Sequence, residues 1–348
     1  MKTPIALFLT DTHLTKDNIE LVIDIFDQAI QVCKTNKIDQ IICGGDVFTS
    51  RSSQPLLVLK AFQYIVEHMK NENITMHVIP GNHDKTDPDS DFSYLDLYDN
   101  YINVYCSGSS FDILGLRFLM MPYFREEKWI SQFNSIKHLI KKNGNNILIT
   151  HIAFDGVRNN DGSEVESSIK PADFAAFKKV LIGHYHNASS VAENVIYTGS
   201  AYQNNFGETI DDKGFMLIYN DSSIKKIKSN FPRYIKKYVD VKDKQALVEA
   251  VEELKRNDGG RSRIIFTGRK EDCESVNPVE FSNIGIDVKF EVAETKEAIE
   301  ISESDSVLNY DKKAVVKDFL SFCKENEIKG DTMKYGLSLI KSIQYVES

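Results

Sequence analysis

Over the first hundred residues, short unbroken apolar runs alternate with longer stretches in which apolar side chains recur every three or four positions. Residues 5–9 form a run of strand length. Across residues 18–36, Ile19, Val22, Ile23, Phe26, Ile30 and Cys33 keep helical spacing. Residues 40–43 read as a second strand, 56–69 as a second helix with Leu59, Phe62, Val66 and Met69 on one face, and 75–79 as a third strand. Strand, helix, strand, helix, strand predicts a mostly parallel sheet with helices packed on it.

Beyond about residue 100 the apolar runs crowd together. Strands are predicted at 103–106, 111–113 and 117–121, a helix over 126–142, and strands at 147–150 and 180–182. Further strands at 195–197, 214–219 and 224–228 are expected to complete a second sheet. The predicted fold is therefore α/β, a sandwich of two sheets flanked by helices. A boundary falls near Asn230-Phe231-Pro232, so residues 1–230 read as the main domain. Strands at 238–241, 263–267 and 287–291 and a helix over 243–256 suggest a small α+β domain across 231–292. Residues 293–310 are acidic and poor in aromatics, as in a linker, and two amphipathic helices (311–326 and 331–344) occupy the last segment, 311–348.

Composition narrows the class. The 348 residues are 42% hydrophobic and 27% charged, the mix of a globular protein with a sizeable core. No apolar run reaches the length needed to cross a bilayer, so no membrane partner is expected, and the N-terminus passes straight into a strand without a signal-peptide pattern. Cys33, Cys43, Cys106, Cys273 and Cys323 are scattered and form no C-x-x-C pair. That argues against a disulfide framework or a thiolate zinc site and for a reducing cytoplasm, the host cell's if the source is viral. The net charge of −9 disfavours general nucleic-acid binding, so a DNA substrate would require help from metals or a partner.

Five patterns carry candidate chemistry: Asp11-Thr12-His13, Gly45-Asp46, Gly81-Asn82-His83-Asp84, His151 and Gly183-His184-Tyr185-His186. Each follows a predicted strand, and in open α/β sheets ligands gather beyond the carboxyl ends of strands. Imidazole and carboxylate together favour manganese, iron or zinc over calcium or magnesium. Alternate residues of an extended segment point the same way, so Asp11 and His13 are expected to face one ion, whereas His184 and His186 are expected to serve one metal each. Asp46 offers two oxygens suited to a bridge, and Asn82 a neutral carbonyl oxygen. Taken singly, each pattern is as well explained by a turn or a hydrogen-bonded structural residue; their joint occurrence in this order is what points to metal. His68, His77 and His138 are read as surface or core residues without a role.

In this order, over roughly residues 5–230, the motifs resemble the calcineurin-like metallophosphoesterase superfamily. Within it the chain is similar to the SbcD-type double-strand-break-repair nucleases, including the small subunits of phage recombination nucleases. The narrower likeness rests on Gly199-Ser200-Ala201-Tyr202-Gln203-Asn204-Asn205-Phe206-Gly207-Glu208 followed by Lys213-Gly214-Phe215, and on a tail resembling a capping domain and terminal helices. The resemblance implies two divalent metal ions, manganese by preference. Asp11, His13, Asp46 and His186 would hold the first, and Asp46, Asn82, His151 and His184 the second. It implies that His83 faces the scissile phosphate and assists the leaving oxygen, and that Asp84 orients His83. One departure is Thr49, where these nucleases often carry a His three residues after the bridging Asp; this leaves the balance of exo- and endonucleolytic cleavage open. Arg51 either supplies positive charge in its place or is an exposed loop arginine.

The same resemblance implies DNA as substrate, a coiled-coil ATPase of the SbcC type bound through residues 311–348, and a homodimer formed through helices near 55–69 and 91–100. Apolar stripes at Ala314, Val315, Phe319, Phe322 and Cys323, and at Met333, Leu337, Ile340 and Ile343, suit such docking or folding back on the chain itself. Lys225, Lys226, Lys228, Arg233, Lys236 and Lys237 read either as a backbone-tracking run or as a solvated strand edge; the acidic loop 155–168 is given no role. Three function classes remain: a DNA nuclease subunit, a phosphodiesterase or phosphatase acting on a small or protein substrate, and a non-catalytic scaffold. His83 with Asp84 counts against the scaffold, and the tail beyond 230 against a compact small-molecule enzyme.

Overall fold

The computed structural model describes residues 2–142, 144–157 and 164–292, together with 319, 320, 322, 323, 333 and 334. The chain divides into two units, Met1–Val292 and Ala293–Ser348. The two helices expected over 311–344 fall in the second unit, almost wholly outside the described residues.

Alternation within each strand builds the first unit as layers. In β1 (Pro4–Leu9), Leu7 and Leu9 turn towards α1 (Ile19–Asn36) and α2 (Leu56–Asn71), while Ala6 and Phe8 turn the other way. β2 (Gln40–Cys43) does the same, with Ile41 and Cys43 under the helices and Ile42 opposite. β3 (Thr75–Val78) and β4 (Asn103–Val104) extend the sheet on one side. The second sheet answers from below. β6 (Leu116–Met121), paired with β5 (Ser109–Ile113), contributes Phe118 and Met120 to the space between the sheets. β7 (Asn146–His151) contributes Ile147 and Ile149 there, and sends Leu148 outwards to Trp129 and Phe133 of α3 (Glu126–Ile136). β8 (Lys179–Gly183), β9 (Ser189–Ala192) and β10 (Val195–Tyr197) complete it. The result is helix, sheet, sheet, helix, with β1-β2-β3-β4 adjacent in the first sheet and strand order β5-β6-β7-β8-β10-β9 in the second.

Two expectations are corrected. Only β10 of the last three strands joins the second sheet; β11 (Gly214–Tyr219) pairs antiparallel with β1 and β12 (Ile224–Lys228) with β11, so both belong to the first. The side chains show why: Met216 and Ile218 enter the inter-sheet core and Phe215 and Leu217 the core beneath α1, repeating the division made by β1. The helix over 126–142 ends at Ile136 and tightens into a 3-10 turn, Lys137–Leu139, and beyond it Asn146 brackets Lys141 through both its main-chain groups.

A third sheet, all parallel, follows: β13 (Tyr234–Asp240), β14 (Arg261–Gly268) and β15 (Ile286–Val292), with α4 (Lys244–Lys255), α5 (Lys270–Glu274) and α6 (Pro278–Ser282). It has its own core around Val239, Leu254, Ile264 and Phe266. The basic run does not form one cationic face. Lys225 and Lys226 point to opposite sides of the edge strand β12, Lys226 Nζ being bonded to the Thr198 carbonyl, and Lys237 is paired with Glu253. No helix among the described residues is long and apolar enough to cross a membrane.

His77 links the two sheets. Its ring stacks on Phe111 of β5 at 3.8 Å, and its nitrogens meet Tyr105 Oη at 2.8 Å and Gln40 Oε1 at 2.9 Å. Burial lowers its pKa from 6.5 to about 4. The unfolded chain therefore takes up this proton first, and stability falls as pH drops from 6.5 towards 4, flattening below. Urea denaturation across that range is expected to give a shallower pH slope for His77→Gln than for the wild type; equal slopes would show that His77 does not contribute.

Candidate metal centre

β1, β2 and β3 run parallel in one sheet, and β7 and β8 parallel in the other, so five carboxyl ends open on one edge of the sandwich. The turns beyond them continue the pairing: Asp11 N donates to Gly45 O, His13 N to Asp46 O and Leu14 N to Val47 O. Four site residues hold left-handed backbone, Asp11 (φ 56°), His13 (44°), Asp46 (52°) and His184 (88°). Such backbone is costly for non-glycine residues and persists only where the surroundings over-determine it. Asp11 and His13 thus converge through a turn, not through the strand alternation expected from their spacing. Close approach also dictates the glycines: a Cβ at Gly81 would lie 2.2 Å from Asp46 Oδ1, and one at Gly183 would lie 2.7 Å from His151 Nδ1.

Two trios result, Asp11, His13 and His186, and Asp46, His151 and His184. One oxygen of Asp46 lies between them, with Oδ2 3.3 Å from His151 Nε2 and 3.7 Å from His13 Nε2. Asn82 Oδ1 meets both histidines of the second trio, His151 Nε2 at 3.1 Å and His184 Nδ1 at 3.0 Å. His184 falls in one trio and His186 in the other. Asp11, Asp46, Asn82 and His151 are buried.

Electrostatics mark the cluster as a cation site. Burial resists ionisation of Asp46, but His151 and His13 hold its carboxyl far below the usual range. Burial likewise disfavours charge on His151, and Asp46 more than reverses this, raising His151 to about 9. Burial pushes His13 and His184 down to about 4, which leaves them neutral and with lone pairs free near pH 7. His186 Nδ1 is bonded to Glu208 at 2.8 Å, so Nε2 faces His13 Nε2, 2.9 Å away. Two imidazole nitrogens lie that close only with a proton or a cation between them. The donor set of imidazole, carboxylate and one amide oxygen fits divalent metal ions.

His83 lies beside the cluster, in a cleft of about 1240 Å³ that His13, His184 and His186 also line. Its orientation corrects the implied role of Asp84. His83 Nδ1 donates to the Thr49 carbonyl at 2.5 Å, while the Asp84 carboxylate accepts from Phe48 N and Gly81 N, both at 2.9 Å. Asp84 therefore ties together the turns after β2 and β3, and burial, then Asp46, raises its pKa to about 7. The main chain at position 49 does the orienting, which any residue there would do. Arg51 Nη2 stands 3.4 Å from His83 Nε2, so this loop arginine does reach the site.

Glu208 and Lys213 are part of the centre but were not singled out as site residues. Glu208 fixes the His186 ring, and the fully buried Lys213 bonds Glu208 Oε2 at 2.9 Å and the His186 carbonyl. Their signal was present in the Phe206-Gly207-Glu208 and Lys213-Gly214-Phe215 segments. His68 pairs with Asp27 and Glu72 on the surface and His138 bonds the Ser135 carbonyl, both away from the centre.

Fold and site define a class. Residues 6–188, more than half of the chain, match the Calcineurin-like phosphoesterase family, and the chain belongs to it. It is 27% identical to "Putative phosphoesterase 244L" of Invertebrate iridescent virus 6 over 241 residues, covering 68% of this chain and 82% of that one. It is 28% identical to "Exonuclease subunit 1" of Enterobacteria phage T4 over 200 residues (56% of this chain, 57% of that one). It is 24% identical to the SbcD component of the nuclease SbcCD of Staphylococcus saprophyticus over 221 residues (56% and 58%).

Outer-shell partners of metal-binding histidines typically change affinity by about 10–100-fold. Glu208→Gln is expected to weaken divalent-cation uptake at the Asp11–His13–His186 trio by that order, leaving the second trio unchanged, as read by calorimetric titration of chelator-stripped protein. Two unaltered binding phases would show that Glu208 does not set the ring.

Proposed function

We propose that the chain is a nuclease subunit that hydrolyses phosphodiester bonds of DNA with two divalent metal ions, manganese by preference. The observation that carries this reading is the pair of candidate ligand trios with Asp46 Oδ2 between them and His83 in the cleft beside them. A dinuclear cation pair, when bound, supplies acidification of water and neutralisation of phosphate charge. Asp11, His13, Asp46 and His186 would hold one ion, and Asp46, Asn82, His151 and His184 the other.

The chain's own residues supply the rest. With Nδ1 committed to Thr49, His83 has only Nε2 to offer the substrate, so a proton delivered to the departing sugar oxygen leaves from that atom. Asp84 keeps the His83 turn in place through the main chain. Arg51 brings a permanent positive charge to the same nitrogen's surroundings, where a phosphate oxygen would sit.

Relatives named as nuclease and exonuclease subunits support a substrate of DNA and a partner subunit. We assign that partner as a coiled-coil ATPase of the SbcC type, docked through residues 311–348; it would offset the −9 charge that opposes DNA binding. Self-association is proposed through α2 and the 3-10 turn Tyr94–Tyr98, which expose Leu56, Leu57, Tyr64 and Leu97.

Linear duplex DNA incubated with Mn²⁺ is expected to be degraded, faster with the ATPase and ATP. His83→Ala should lower the rate by about 10²–10⁴-fold while metal uptake stays intact. Full activity in His83→Ala would remove it from the chemistry; cleavage of small phosphodiesters alone, with the ATPase present, would move the substrate away from DNA.

A further inference from the structure

The cleft holding His83 is not walled by the two large sheets alone. Tyr234, the first residue of β13, and Arg261, the first of β14, line it as well. They are register partners on neighbouring strands, and the Arg261 guanidinium lies 5.6 Å from the centre of the Tyr234 ring. The ring is half-buried, with Phe206 set edge-on against it at 5.0 Å. Its main chain is clamped on both sides by one side chain, Tyr234 N donating to Gln203 Oε1 at 2.8 Å and Gln203 Nε2 to Tyr234 O at 3.1 Å. The same Gln203 amide donates to the carbonyl of Glu208, the residue that sets His186. The ring is therefore held in fixed relation to the metal centre.

Its arginine neighbours differ in a telling way. Arg263, two residues along β14, lies over Phe206 at 4.0 Å but is neutralised by Asp287 at 2.6 Å. Arg261 is exposed and has no carboxylate partner among the described residues. The carboxylates lining the cleft outside the metal centre, Asp17, Glu20 and Asp24, come from the start of α1 and the turn before it, with Lys16 among them, so Arg51 and Arg261 are the cations of the cleft that lie apart from its carboxylates in the chain.

We propose that Tyr234 and Arg261 form a nucleobase platform, on which an unpaired base of single-stranded DNA stacks against Tyr234 while Arg261 takes a neighbouring phosphate. This deepens the nuclease reading and rests on it. A pinned aromatic ring with an arginine over it that no carboxylate neutralises is a combination that binds single strands without reading sequence, because every base has a π-face. A base inside a duplex has both faces covered, so the platform selects substrates with an unpaired end.

The test is binding by the full chain in excess chelator, without cleavage. Fluorescence anisotropy compares a labelled single strand of about ten nucleotides with an abasic strand of equal length. The wild type should bind the base-bearing strand about tenfold more tightly. Tyr234→Ala should erase that preference and Tyr234→Phe retain it. Arg261→Ala should weaken both strands alike and reduce the salt slope by about one. A wild type without preference, or a Tyr234→Ala variant that keeps it, overturns the platform, and the first of these needs no variant to fold. The nuclease reading is judged separately, by cleavage. A wild type that cleaves DNA while Tyr234→Ala binds normally loses only the platform; one that prefers bases yet never cleaves loses only the nuclease assignment.

Discussion

Asp46 stands where the two sheets meet at their carboxyl ends, and the rest of the centre is arranged around it. Its Oδ1 accepts the His83 amide at 2.8 Å, and its Oδ2 faces the His13 and His151 rings. Its backbone is left-handed, and the turn after β3 presses on it so closely that only glycine fits at position 81. Burying a carboxylate this completely is unfavourable unless positive charge accompanies it. His151 Nε2 stands 3.3 Å from Asp46 Oδ2, and the carboxylate raises the His151 pKa to about 9. Divalent cations held by the two trios would supply positive charge to the same carboxylate.

Much of this was legible in the sequence because parallel strands make a simple promise. Residues just beyond β1, β2, β3, β7 and β8 must open on one edge, however far apart they are along the chain. The division of each strand between two cores was equally legible, since period two is strict: Leu7 and Leu9 cannot share a face with Ala6 and Phe8. What the sequence hid is pairing. β11 follows β10 within seventeen residues, yet returns to β1 in the other sheet, and nothing in an apolar run names its neighbour. The spacing of Asp11 and His13 misled for a related reason: the alternation rule holds inside a strand, and these residues lie just past its end, in left-handed backbone. Asp84 shows a third limit. An acid next to a histidine in sequence looks like its hydrogen-bond partner, but the Asp84 carboxylate accepts from the Phe48 and Gly81 amides, and a main-chain carbonyl 34 residues away accepts the hydrogen bond from His83 Nδ1.

Glu208 and Lys213 extend the centre beyond the residues that would touch metal. A fully buried lysine is rare and requires full pairing. Lys213 has it in Glu208, Asp212 and the His186 carbonyl. The segment carrying both residues bridges the second sheet to β11 of the first, so the crossover that hides the topology also supplies the support of His186. Gln203 on that segment reaches out to Tyr234, which places the third sheet in the same hydrogen-bonded frame.

That frame bears on where a chain of net charge −9 can attract an anion. Net charge sets the long-range field, which repels, but contact is decided over about a Debye length of 8–10 Å. Within that range the basic residues sort themselves by what they are already bonded to. Lys226, Lys237 and Arg263 are held by protein groups and cannot serve a phosphate without giving up a partner. Arg51 and Arg261 line the cleft, the first against a histidine nitrogen and the second against an aromatic ring, neither of which neutralises a guanidinium. The cleft therefore presents guanidinium charge that no carboxylate neutralises, at the place where the two ligand trios open.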